Sequence, residues 1–230
     1  MNVNLVGITQ PSAATGCHSA NELISYAARV SNPGNQNNAE TSPKLLKYLI
    51  KNAHWSPFEM VSVTMEIKTT RDISRQIIRH RSFSFQEFSQ RYAESTNFIN
   101  REARLQDKKN RQNSIDLDLP EDFGKGGNKT QHERLYEEWN MRQREVINKS
   151  QEVYKWALDN GIAKEQARAV LPEGNTETTL YMAGNLRSWI HYCMLRTEQG
   201  TQKEHRLVAQ KCWDILSQHF PDVAKAVNEL

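Results

Sequence analysis

At 230 residues and 26.6 kDa the chain is long enough to bury a sizeable core, which excludes the disulfide-stapled mini-proteins. Cys17, Cys193 and Cys212 lie far apart, outside any CxxC or Cys/His cluster, so no disulfide framework or structural zinc site is indicated and a reducing, cytoplasmic setting is expected. A net charge of +3 fits local handling of anions better than a coat of nucleic acid, and no apolar run approaches the roughly 20 residues that cross a bilayer.

Residues 2–8, NVNLVGI, predict a short first strand, and the turn-rich PSAATGCHS leads into a helix, NELISYAARV, that Pro33 and Gly34 stop. A polar loop over 35–40 follows, and Ser42 with Pro43 starts a second helix, SPKLLKYLIKNA, as cap and first helical residue. The clearest strand is VSVTMEIK, with Val61, Val63, Met65 and Ile67 on one face and Ser62, Thr64, Glu66 and Lys68 on the other. Thr70 can cap TRDISRQIIRH, a short helix that delivers RHR at its end.

Residues 100–129 are polar, with a basic run, an acidic patch and GKGG, and predict an exposed or mobile excursion. Thr130 and Glu133 form a capping box for a helix running to Gly161, about 45 Å at 1.5 Å per residue, with Leu135, Trp139, Val146, Tyr154 and Leu158 as its apolar side. The helical AKEQARAV, the alternating TETTLYMA and the helical NLRSWIHYCMLR follow, and Thr201 with Glu204 form a second capping box before Leu207, Val208, Ile215 and Leu216. The pattern predicts a single α/β domain of the α+β type over 1–230, a mixed sheet flanked by long helices. The mean hydropathy of −0.76 is polar for such a domain, so contacts between subunits could supply missing burial.

The densest chemistry lies in RHRSFSFQEFSQRY, residues 79–92. Guanidinium forks bind phosphate oxygens in pairs and serine hydroxyls complete such sites, so the composition suits a phosphorylated ligand. Glu87 inside the cluster gains nothing for a phosphate cradle or a nucleic-acid stripe, whereas a nucleotide's sugar or base could use an acceptor, or an arginine a clamp. Phe83, Phe85 and Phe88 read as core residues. Taken alone, Arg168 reads equally as a cation at a helix C-terminus, and His54, His80 and His191 as packed histidines.

Arg79, His80 and Arg81, seven intervening residues, then Ser89, with Glu87 two before that serine and Arg91 and Tyr92 after it, resemble the signature of the flavin-dependent thymidylate synthases. HWSPFE (54–59), ARAVLP (167–172) and GNLRSWIHYCMLR (184–196) extend the resemblance, with Gln86 standing where that family commonly has Asn. The resemblance implies an FAD site at Ser56, Arg79, His80, Arg81, Glu87, Asn185, Arg187 and His191. It implies dUMP contacts at Gln76, Arg79, Glu87, Phe88, Ser89, Gln90, Arg91, Arg168 and Arg196, shared between subunits of a homotetramer. It also implies reductive methylation of dUMP, with 5,10-methylenetetrahydrofolate as carbon donor and NADPH recharging the flavin, and Arg196 as the residue that polarises the uracil ring.

Helical spacing puts Asn185 and Arg196, three turns apart, on one face, and Arg187 with His191 on another. Attack on uracil C6 by a thiolate is the other way to activate C5, but neither Cys193 nor Cys212 has electropositive, exposed surroundings in the sequence. Two other readings of the residues remain, a basic nucleic-acid-binding module with phenylalanines as stacking platforms, and a non-catalytic helical scaffold.

Overall fold

In the computed structural model, which describes residues 1–121, 123 and 129–230, β1 (Asn2–Ile8) is followed by α1 (Ala20–Ala28), α2 (Ser42–Lys51), β2 (Ser62–Thr70), α3 (Arg71–Ile77) and β3 (Ser84–Glu87). The chain continues through a hairpin of β4 (Arg104–Gln106) and β5 (Ser114–Asp116) to α4 (Gln131–Asp159), α5 (Lys164–Ala167), β6 (Glu177–Asn185), α6 (Leu186–Arg196), α7 (Lys203–His219) and α8 (Pro221–Asn228). The glycine-rich stretch 124–127 lies outside the described residues.

Four strands form one sheet in the order β1-β2-β6-β3. Every pairing in it is antiparallel, so the fold class is α+β as expected but the sheet is not mixed. β2 and β3 point the same way across the α3 crossover, and β6 enters between them and pairs antiparallel with both, which leaves no parallel ladder. The alternation of β2 is obeyed: Val63, Met65 and Ile67 are buried, with Leu180 and Met182 of β6 beside them. Each such burial contributes roughly 1.5–3 kcal/mol. The other face is polar, with Tyr181 Oη donating to Glu66 Oε2 at 3.1 Å, as suits an antiparallel sheet with one wet side.

Helices close the core over the apolar face through Ile24, Leu46, Ile50, Trp189, Ile190, Val208, Cys212 and Leu216. α8, which the sequence pattern did not reveal, begins at Pro221 as first helical residue and adds Val223 and Val227.

Several local expectations shift. Thr41, not Ser42, is the cap residue of α2. The Thr130–Glu133 capping box forms in full, but α7 is capped at Gln202 without a side-chain bond, because Glu204 turns to Arg104 instead of back to Thr201. On α4, Tyr154 is buried as expected, whereas Leu135, Trp139 and Val146 stay exposed on the single chain. The excursion at 100–121 is an ordered hairpin pinned by charge: Lys203 Nζ lies 2.9 Å from both Glu102 and Asp116, and Arg104 meets Glu204 at 2.8 Å.

Gly184 is required by close packing. A Cβ there would lie 2.4 Å from Phe83 Cδ1, and the Phe83 ring is already held edge-on by Trp189, with centroids 4.9 Å apart. Gly184→Ala should cost about 1–3 kcal/mol in chemical denaturation through overpacking. Gly200→Ala, with open space around it, should stay within about 0.5 kcal/mol of the parent.

Candidate active site

α3 ends at Ile77, and the turn that follows, closed by His80 N–H on Ile77 O at 3.0 Å, presents Arg79, His80 and Arg81. The half-buried His80 ring packs edge-on against Tyr192, with centroids 4.9 Å apart. Arg196, the last residue of α6, donates from Nε to His80 Nε2 at 2.9 Å. That bond needs a lone pair on Nε2, so the imidazole is neutral with its proton on Nδ1. Burial first, and the Arg196 charge second, hold His80 below the ordinary histidine range. The two terminal amino groups of Arg196 have no partner among the described residues, and the exposed Arg79 and Arg81 guanidiniums likewise have none.

Glu87 is the best-satisfied carboxylate in this region. It accepts from Ser74 Oγ at 2.9 Å, Thr178 Oγ1 at 3.0 Å and Arg75 at 3.0 Å, with Arg71 3.8 Å away. Of the alternatives open in the sequence, the single chain realises the clamp on arginine. Gln86, one residue earlier on β3, faces the exposed side opposite Tyr181.

Beyond β3, Phe88 is exposed and its N–H bonds Thr179 O at 2.9 Å. Ser89 Oγ accepts from Arg91 N–H, and Glu165 gathers two cations: its carboxylate takes Arg91 Nε at 3.2 Å and its carbonyl takes Arg168 Nε at 3.3 Å. Ser89, Arg91 and Arg168 are therefore neighbours. Gln90 is buried and bonded to Ser95 Oγ, so it supports this turn from inside.

At the opposite end of β6, Asn185 caps α6 by accepting from Ser188 N–H at 2.9 Å. Its side chain turns back onto the first turn, so the common face expected for Asn185 and Arg196 does not form. Arg187 is ion-paired with Glu59. His191 is exposed, edge-on to Trp55 at 4.7 Å, and held below its ordinary range by partial burial and then by Arg187. The exposed Ser56 opens the 3-10 turn Ser56–Met60, in which Phe58 is buried, close in sequence to both partners, Trp55 and Glu59. Asn185 lies seven steps along β6 from Thr178, about 23 Å at 3.3 Å per residue, so one chain holds the expected residues in distinct groups. An open cleft of about 510 Å³ runs between the β4–β5 hairpin and Gln202, one of about 550 Å³ is lined by Met194 and Thr197 beside Arg196, and a smaller one of about 230 Å³ is lined by Phe88, Thr178 and Thr179.

Phe83 and Phe85 pack against the core, which removes them as stacking platforms. Both Cys193 and Cys212 are buried, and burial pushes both thiols up, away from thiolate chemistry. Residues that the sequence reading missed include Ser74, Arg75 and Thr178 around Glu87, and Tyr192 and His205 behind His80. The i, i+4 pairing of Arg71 and Arg75 on a short helix was a usable signal for the first group. A lone histidine in α7 offered none.

His205 is fully buried, with Nε2 3.1 Å from Tyr192 Oη and Nδ1 3.3 Å from Gln76 Oε1. Burial, then the Arg196 charge and the neighbouring His80 ring, pushes it down to about 3. The unfolded chain binds a proton near pH 6.5 that the folded chain refuses, so this contribution is complete above that pH and is lost as pH falls. Between pH 7 and pH 5 the loss should be about 2 kcal/mol in urea denaturation, and His205→Asn should flatten that part of the profile.

A family model described as "Thymidylate synthase complementing protein" matches residues 14–222. The chain is 48% identical over 229 residues to a probable flavin-dependent thymidylate synthase of Paramecium bursaria Chlorella virus 1, covering 99% of each. It is also 48% identical over 230 residues to a flavin-dependent thymidylate synthase of a Synechocystis strain, covering 99% of this chain and 100% of that one. A crystal structure of a UMP/dUMP methylase, PolB, from Streptomyces cacaoi bound with 5-Br dUMP superposes with a TM-score of 0.77 at 27% identity, covering 100% of this chain and 95% of that chain. With the RHR turn, Ser89 and Arg196 disposed as described, these matches make the chain a member of the flavin-dependent thymidylate synthase family.

Proposed function

We propose that Arg196 is the electrostatic catalyst of this flavin-dependent thymidylate synthase, which methylates dUMP reductively to dTMP with 5,10-methylenetetrahydrofolate, NADPH and FAD. The observation that carries the assignment is a guanidinium fixed at Nε by a neutral histidine, with both terminal amino groups unengaged among the described residues. Uracil C5 becomes nucleophilic as negative charge gathers on the ring's oxygen edge. A permanently charged fork set at that edge stabilises the charge where it develops. Arginine keeps its protons at working pH, so Arg196 supplies charge and no proton.

The donor set suits a flavin dinucleotide: the Arg79 and Arg81 charges are exposed without partners among the described residues, and the Ser56 hydroxyl and His191 ring are exposed. We assign these residues, with His80 and Asn185, to hold FAD, and Arg187 and Glu87 to act through the groups they pair with. Once reduced by NADPH, the bound flavin would supply the hydride for the transferred carbon. We assign the dUMP phosphate and sugar to Ser89, Arg91 and Arg168, with Phe88, Gln76 and Arg79 adjoining and Gln90 bracing the turn.

The separation of these groups in one chain supports active sites shared between subunits of a homotetramer. So does the apolar surface left open on α4 at Leu135, Trp139, Val146 and Trp156. The family match across 14–222 supports treating 1–230 as one domain. No described helix is long and apolar enough to cross a membrane. Three free thiols, two of them in the core, support a reducing, cytoplasmic setting.

Arg196→Ala should abolish dUMP-dependent tritium release from C5-labelled dUMP while leaving the flavin absorption spectrum in place. Normal turnover would remove Arg196 from its role. Replacing Cys17, Cys193 and Cys212 together by Ala should keep turnover within about threefold and lower stability by a few kcal/mol through core cavities, roughly 1–2 for each buried thiol. A folded but inactive triple variant would restore the thiolate route.

A further inference from the structure

Behind the RHR turn runs a chain of hydrogen bonds that the assigned chemistry does not use. Glu204, at the start of α7, faces Arg104 at 2.8 Å and Arg101 at 3.7 Å. Its carboxylate accepts from Gln202 Nε2 at 2.9 Å, and Gln202 Oε1 accepts from Gln76 Nε2 at 2.8 Å. Gln76 Oε1 lies 3.3 Å from His205 Nδ1, and His205 Nε2 lies 3.1 Å from Tyr192 Oη.

With His205 kept neutral by its burial, only one assignment of protons satisfies every link. An ionised carboxylate can only accept, so the Gln202 amino group points at Glu204 and its oxygen at Gln76. The Gln76 amino group then points at Gln202 and its oxygen at His205. His205 must therefore carry its proton on Nδ1 and accept at Nε2, which makes Tyr192 the donor. His205 is fully buried and Tyr192 is 1% exposed, so neither end can exchange its partner for water. An unrestrained glutamine amide presents either its oxygen or its nitrogen to a ligand, whereas this one is held in a single orientation from both sides.

We infer that His205 is a positioning residue that, with Gln202 and Glu204, presets the Gln76 amide to meet dUMP in one orientation. The inference rests on the proposal that Gln76 adjoins the nucleotide. Tyr192 is the buried end stop of the chain, and its ring also supports His80. Pre-setting a donor and acceptor before binding removes the ordering cost from association, and so acts on substrate affinity more than on the chemical step.

The test uses the flavin-loaded enzyme and dUMP. In Tyr192→Phe/His205→Phe the two buried polar partners leave together, so no orphaned hydroxyl remains to unfold the core. The expected result is a KM for dUMP raised roughly tenfold, about 1.4 kcal/mol, with kcat and bound flavin within about threefold of wild type. In His205→Asn the amide nitrogen can replace Nδ1 as donor to Gln76, and the KM should return to within about threefold of wild type. Gln202→Ala, at an exposed position, frees the Gln76 amino group without touching the core and should raise the KM severalfold. It decides the matter if the double variant fails to fold. An unchanged KM in the double variant or in Gln202→Ala overturns the inference. So does an equal loss in His205→Asn and the double variant tracking stability or flavin content, since that pattern marks a structural role alone. Wild-type protein that releases no tritium from C5-labelled dUMP would instead sink the functional reading on which the inference rests.

Discussion

The bond from Arg196 Nε to His80 Nε2 organises everything around it. It forces His80 to be neutral, ties the end of α6 to the turn after α3, and fixes the guanidinium by its inner edge, with its outer fork unengaged among the described residues. A free arginine side chain would lose considerable rotamer entropy on meeting a ligand, and the histidine bond has already spent much of it. The hydrogen bond also explains why His80 is buried beside a cation without becoming one. Desolvation and the neighbouring charge both favour the neutral ring, and the neutral ring is what can accept.

A second constraint is the disposition of charge. Thirty basic residues could have made a broadly cationic surface, yet many of them are neutralised internally: Arg71 and Arg75 by Glu87 and Glu173, Arg101 by Asp72, Arg104 by Glu204. Arg79 and Arg81 keep charge that is unpaired among the described residues, in one turn. Localised charge of this kind suits a small anionic ligand better than a long polyanion, whose binding grows with the number of neutralised phosphates. Glu87 fits this account as the anion that keeps α3 and β3 in register beneath the turn, with Ser74 and Thr178 filling its remaining acceptor sites.

Much of this was legible in the sequence, for physical reasons that differ from element to element. β2 and β6 declare themselves because one face is buried and the other wet, which forces alternation, and the Thr130–Glu133 box marks the start of α4 because the reciprocal bonds are local. β3 was hidden: SFQE is four residues on a sheet edge, and its pairing with β6 depends on a partner almost a hundred positions away. The Thr201–Glu204 pattern misled because long-range arginines from the β4–β5 hairpin outcompete a local cap. The exposed apolar residues of α4 misled in the opposite sense, since a lone chain leaves a face open that periodicity assigns to a core. At the site, the RHR turn, Ser89 and Arg196 are visible as motif residues. Tyr192 and His205 carry no sequence signal, because their significance is the directional chain they complete.

Charge at the uracil's oxygen edge is reported most directly by the acidity of the N3 proton of bound dUMP. Ultraviolet difference titration of dUMP on the enzyme should show N3 ionising at a clearly lower pH than in free dUMP, with Arg196→Ala returning it to the free value. An N3 proton as weakly acidic on the wild-type enzyme as in solution, with dUMP demonstrably bound, would contradict the account.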